Sequence, residues 1–176
     1  MTAAGPPGVT VRPARTADVR SIRHLVDTYT GDRRLLSKAT VTLYEDVQEF
    51  LVAERGGAGH ESTVVGCGAL HVLWEDLAEV RTVAVEPVMR GRGVGHALLA
   101  ALLDRARSVG VVRVFCLTFE TAFFGRHGFV EIAGAPVSHE VYEELLQSYD
   151  EGVAEFLDLE RVKPNTLGNV RMLLKL

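Results

Sequence analysis

The segment "EVRTVAVEPVMRGRGVGHALLAALLDRARSVGVVRVFCLTF", residues 79 to 119, sets the tightest limit on the fold. A β-branched run closed by Pro87 reads as a strand, and a turn rich in Gly and Arg follows it. Apolar residues then recur at helical spacing from about Gly93 to Val109, with Gly110 as a C-terminal stop. The near-continuous apolar run "VVRVFCLTF" comes next, as expected of a central strand.

The rest of the chain supplies partners for this unit. "VTVRPA" (9 to 14) reads as a first strand after a flexible start over residues 1 to 8. Thr16 and Asp18 offer capping chemistry to a helix in which Val19, Ile22, Leu25, Val26 and Tyr29 form one apolar face. A basic loop with Arg33, Arg34 and Lys38 leads to a second helix over "VTLYEDVQEFL" (41 to 51). "FLVAE" and "STVVGCGALHVL" flank the turn "RGGAGH" as an antiparallel hairpin. A short helix "TAFFGRH", the segment "GFVEIAG", a helix capped by Ser138 and a closing strand "VRMLLKL" complete the order. The expectation is a single α/β domain over residues 9 to 176, built on a mixed sheet with flanking helices.

At 176 residues the chain can bury roughly 70% of its unfolded surface and needs no staple. A net charge of −4 argues against a broad nucleic-acid or anionic-membrane surface, so any anion site must be local. No apolar run approaches the roughly 20 residues of a membrane span, and residues 1 to 9 lack signal-peptide character, which makes the cytoplasm the expected location. Cys67 and Cys116 sit in apolar runs without a second thiol at ligand spacing and read as buried strand residues. His71, His96 and His127 likewise lack ligand-spaced partners, so no metal is expected. Trp74 reads as a packing residue near a hairpin.

Gly91, Gly93 and Gly95 are expected to let the loop turn at positive φ and bring amides close to a ligand at the leading end of a helix. Arg90 and Arg92 add cations suited to phosphate oxygens. A Walker loop is excluded because Val94, Gly95 and His96 stand where Lys-Ser/Thr is needed, and a dinucleotide fingerprint because His96 replaces its last Gly. What fits is R-x-x-G-x-G, formed by Arg90, Gly93 and Gly95.

This loop, the strand before it, the helix after it and the later pair Gly128-Phe129 together resemble the GCN5-related N-acetyltransferase (GNAT) family. The resemblance spans roughly residues 9 to 175. It implies the GNAT fold, with two splayed parallel strands, and acetyl-coenzyme A as donor. The family's diphosphate site falls on Arg90, Gly91, Arg92, Gly93, Val94, Gly95 and His96. Its pantetheine-pairing and oxyanion-stabilising strand falls on Val83, Ala84 and Val85. The family's usual base glutamate corresponds to Glu79, and strict alternation sets Glu79, Arg81, Val83 and Val85 on one strand face. Many members carry a Tyr general acid where this chain has Phe124, which leaves Thr121, with Thr118 beside it, as the candidate donor.

Within the family, "LLSKATVTLYEDVQEFLVAE" and the ending "LGNVRMLLKL" resemble short amino-acid acetyltransferases related to the catalytic domain of N-acetylglutamate synthase. That implies transfer to the α-amino group of glutamate or glutamine, the first step of arginine biosynthesis. Burying substrate carboxylates demands cations, for which Lys38, Arg81 and Arg171 are the candidates. The partners are then a small amino acid and acetyl-coenzyme A, with homodimerisation left open. The competing readings are acetylation of a protein or other amine, and a non-catalytic acetyl-coenzyme A-binding module.

Overall fold

The structure, a computed structural model, describes residues 3–31, 35, 38–56, 62–148, 150, 153–154, 157 and 169–176. Its strands are β1 (Ala3–Ala4), β2 (Val9–Pro13), β3 (Phe50–Arg55), β4 (Thr63–Trp74), β5 (Leu77–Val85), β6 (Arg113–Thr118), β7 (Val130–Glu131) and β8 (Val170–Lys175). The helices are α1 (Val19–Thr30), α2 (Thr40–Glu45), α3 (Val94–Ser108), α4 (Thr121–Gly125) and α5 (His139–Leu145). This is the expected mixed α/β architecture. The residues group into two compact units, one of Met1–His71 with Val80–Val109 and one of Val72–Glu79 with Gly110–Leu176.

In the first unit β2 pairs antiparallel with both β1 and β3, and β3 with β4. The start of the chain thus adds a short strand beside β2. Pro6 and a positive φ at Gly8 turn it back, Val9 N–H donates to Pro6 C=O at 2.9 Å, and Ala3 comes opposite Val11. The hairpin of β3 and β4 is present, although residues 57–61 of its turn lie outside the described part.

Helix α1 buries Val19, Ile22, Leu25, Val26 and Tyr29, the stripe its sequence spacing predicts. The second helix is shorter than expected. It ends at Glu45, a 3-10 turn spans Val47–Glu49, and Phe50 and Leu51 belong to β3. The apolar run "FLVA" is buried at all four positions, and that burial on a sheet outweighs the helical spacing it also satisfies. Ile22, Leu25, Val26, Leu43, Phe50, Val52 and Cys67 join one core.

Arg12 anchors the entry to α1. It pairs with the buried Asp18 at 2.7 Å and with Glu54 at 2.8 Å, and Asp18 also accepts the Arg15 N–H at 2.7 Å. The capping expected of Asp18 thus serves the 3-10 turn at Thr16–Asp18. Hydrogen bonds from Arg12 hold both carboxyls below their ordinary values, against the opposing effect of burial. A carboxyl whose folded pKa is depressed stabilises the fold above its unfolded pKa, and that contribution is lost as pH falls through the folded value. Urea midpoints are therefore expected to be level with respect to these two groups above about pH 5 and to fall below about pH 4. The Arg12→Met protein should show a flatter acid limb, and an identical limb would remove Arg12 from this linkage.

In the second unit β5 and β6 run parallel, with Leu77, Ala78 and Glu79 opposite Arg113, Val114 and Phe115. β6 continues beyond that register to Thr118, and the rest of β5, to Val85, belongs to the first unit. β8 lies antiparallel to β6 and to β7. Leu73, Leu77, Phe115, Leu145 and Leu173 form its core, with Trp74 packed against them as expected. Arg113 fastens the turn between β4 and β5 through Asp76 at 2.8 Å, and α5 carries the expected Ser138 cap on the Val141 N–H.

Candidate functional site

The strand β5 leads into the Gly/Arg loop, and its alternation is not strict. Thr82 has φ of +57°, a left-handed conformation adopted by no other non-glycine among the described residues. That kink interrupts the period of two, so the single face expected to carry Glu79, Arg81, Val83 and Val85 does not run unbroken through the strand. Beyond the kink Ala84 is buried in the core of the first unit, while Val83 and Val85 are half-buried.

A 3-10 turn at Pro87–Met89 delivers the chain to Arg90. Gly91 at φ +72° and Gly93 at φ +84° make the turn, and α3 starts at Val94 with Gly93 as its N-cap. Gly95 departs from expectation, because it lies inside the first turn of α3 rather than at positive φ, together with His96. No side chain caps the helix from the N-cap position. A Cβ on Gly91 would meet no atom within 4 Å, and no acidic residue stands between 87 and 103. Open glycine backbone, two arginines and first-turn amides fit a diphosphate.

Tyr29 is the residue that sequence reasoning missed. Its hydroxyl donates to the carbonyl of Val85 and accepts the Nε–H of Arg90 at 3.0 Å, and the Arg90 guanidinium carbon stands 4.9 Å from the centre of its ring. Its position on the α1 stripe predicts burial and says nothing of the hydroxyl.

Two of the three predicted carboxylate-binding cations meet. Lys38 Nζ and Arg81 Nη2 both approach Asp46 Oδ2, at 3.6 and 3.7 Å, and Arg81 also pairs with Glu49 at 3.0 Å. His71, which lacks ligand-spaced partners in the sequence, sits 2.7 Å from the other oxygen of Glu49. Burial pushes the Glu49 carboxyl up, but His71 and Arg81 outweigh it and hold it below its ordinary value. Arg33 and Arg34, of the basic loop before α2, lie outside the described residues.

The remaining candidates belong to the second unit. Glu79 closes the parallel register of β5 and is only 3% exposed, an uncommon place for a carboxylate. Thr121 opens α4 at half-burial; the N-cap itself is Glu120, whose N–H is taken by the hydroxyl of Thr118 at 2.9 Å. Phe124 is buried between Phe123 and Phe129, each in an edge-on ring contact. Arg171 lies on β8 opposite Leu117. The cysteines are buried as expected. Burial pushes the Cys67 thiol up to about 12 and that of Cys116 higher still, with the charge of Glu79 adding to the latter. Among the described residues no group of His, Cys, Asp and Glu is arranged to hold a metal ion, and no helix is long and apolar enough to cross a membrane.

Known proteins share the sequence and the fold of this chain. The model of the Acetyltransferase (GNAT) family matches residues 19–129. An amino-acid acetyltransferase of Mycobacterium tuberculosis is 63% identical over 94% of this chain and 94% of its own length. A crystal structure from the same organism, in complex with CoA and NLQ, superposes with a TM-score of 0.89 over 94% of this chain and 98% of that one. The N-acetylglutamate synthase of Neisseria gonorrhoeae, complexed with coenzyme A and N-acetyl-glutamate, shares the fold at 24% identity and a TM-score of 0.73, over 96% of this chain and 35% of its own. The chain thus belongs to the Acetyltransferase (GNAT) family, as an acyltransferase that uses acetyl-coenzyme A.

Proposed function

We propose that the enzyme acetylates the α-amino group of L-glutamate or L-glutamine, as the first step of arginine biosynthesis in the cytoplasm. The observation that carries this reading is the convergence of Lys38 and Arg81 on Asp46, beside Glu49. Asp46 and Glu49 balance both charges in this structure, so an acceptor carboxylate would engage these cations by exchange with those partners. Arg171 is the third candidate cation. The names of the relatives support an amino-acid acceptor.

In this reading the single domain spans residues 9–176, and Arg90, Arg92 and the amides of Gly91, Gly93, Val94, Gly95 and His96 hold the diphosphate. Val83, Ala84 and Val85 offer backbone groups to the pantetheine and to the thioester oxygen. Acetyl-coenzyme A supplies an activated acyl group, whose carbon gains a bond to the amine nitrogen and loses its bond to sulfur. Glu79 takes the proton the amine releases, directly or through water, and Thr121 is the candidate to protonate the departing sulfur.

Release of free thiol from acetyl-coenzyme A, measured across the twenty amino acids, tests the proposal. Turnover should be highest on glutamate or glutamine, and faster turnover of a peptide N-terminus or of a lysine side chain would overturn it. Lys38→Met is expected to raise KM for the amino acid about tenfold while leaving KM for acetyl-coenzyme A unchanged, as loss of one partly shielded charge-assisted contact would. Equal shifts in both constants would take Lys38 out of the acceptor site.

A further inference from the structure

The geometry points to Tyr29 as a positioning residue for acetyl-coenzyme A binding: its hydroxyl fastens Arg90 to the end of β5 and so pre-sets the arginine that faces the diphosphate. The inference rests on the reading that the loop from Arg90 to His96 is the diphosphate site. Three contacts define it. The Tyr29 hydroxyl donates to the Val85 carbonyl, accepts from Arg90 Nε at 3.0 Å, and the ring lies beneath the guanidinium at 4.9 Å.

Each contact has a separate effect. Tyr29 is itself 8% exposed and packed among the core residues of α1, so its ring is a fixed platform rather than a mobile surface group. Arg90 is exposed, and a free arginine there would sample many rotamers. The cation–π contact holds the guanidinium against the ring, and the Nε bond sets the direction of its Nε edge. A guanidinium has five N–H donors, and the one on Nε is the donor Tyr29 takes, which leaves the Nη donors for a bidentate grip on phosphate. The hydroxyl's own hydrogen goes to the Val85 carbonyl, which leaves its lone pairs to Arg90 and anchors the arginine to the strand end, so ordering of Arg90 that ligand binding would otherwise have to impose is built in beforehand.

Tyr29→Phe keeps the ring and its cation–π contact but deletes the oxygen. It is expected to raise KM for acetyl-coenzyme A, and the dissociation constant of coenzyme A by calorimetry, about tenfold, with kcat and KM for the amino acid within about twofold. With S-acetylpantetheine, which lacks the diphosphate, the variant and the parent should share one KM. In an Arg90→Ala background Tyr29→Phe should add less than about twofold, because the group it positions is gone. A purely structural role would raise the constants for both donors or persist in the double variant, and either result overturns the inference. If Arg90→Ala weakens coenzyme A and Tyr29→Phe does not, the positioning role alone fails. If neither Arg90→Ala nor Gly93→Val weakens coenzyme A, the loop assignment has failed first and the inference falls with it.

Discussion

Glu79→Gln is expected to lower kcat by on the order of 10²-fold or more, with KM for acetyl-coenzyme A nearly unchanged. Glutamine keeps the shape of the side chain and removes its ability to accept the amine's proton. Position makes the test clean in one respect, since Glu79 is 3% exposed and closes the parallel register of β5 against Phe115. A buried carboxylate exchanged for its amide also shifts stability, so thermal denaturation must accompany the kinetics. A rate restored at high pH, where more of the amine is already neutral, would fit loss of a base. Unchanged turnover at every pH would remove Glu79 from the mechanism.

Gly66→Val is expected to destabilise the fold by about 2–3 kcal/mol and lower Tm by roughly 5–10 °C. A Cβ at Gly66 would stand 3.0 Å from Leu98 Cδ1, 3.1 Å from the Ala84 carbonyl oxygen and 3.3 Å from Val94 Cγ1. Valine adds two methyls to that crowding, and the backbone oxygen cannot step aside as a flexible side chain can. Gly68 is similar, with Leu102 Cδ1 at 2.9 Å, so two glycines of β4 let α3 lie close on the sheet. Displacing α3 also displaces its first turn, so KM for acetyl-coenzyme A should rise with the loss of stability. A normal Tm together with a normal KM would show that α3 does not depend on the bare strand beneath it.

Local patterns carried most of the fold. The spacing of Val19, Ile22, Leu25, Val26 and Tyr29 gave α1 because one helix face is buried whole, and Gly110 at φ +90° stops the chain just beyond α3 where expected. Legibility failed where a segment satisfied two periods at once, as "VQEFL" did before the sheet claimed Phe50 and Leu51. It failed again at Thr82, since no β-branched residue advertises a left-handed backbone. The turn of the loop was readable because Gly91 and Gly93 supply the positive φ it needs. Pairings such as Arg81 with Glu49, or Arg90 with Tyr29, join residues 32 and 61 positions apart, and no local pattern encodes them. Glu79 and Thr121 were identified through family resemblance, and burial adds weight only to the first.

The left-handed Thr82 carries a thermodynamic cost. A β-branched residue in that conformation gives up about 1–2 kcal/mol, and persists only because its surroundings leave it nowhere else to go. Cys67 Sγ touches its carbonyl at 3.7 Å and Ala84 is locked into the core two residues on. The end of β5 is consequently a preloaded spring, and its relaxation is resisted by hydrophobic packing elsewhere in the molecule.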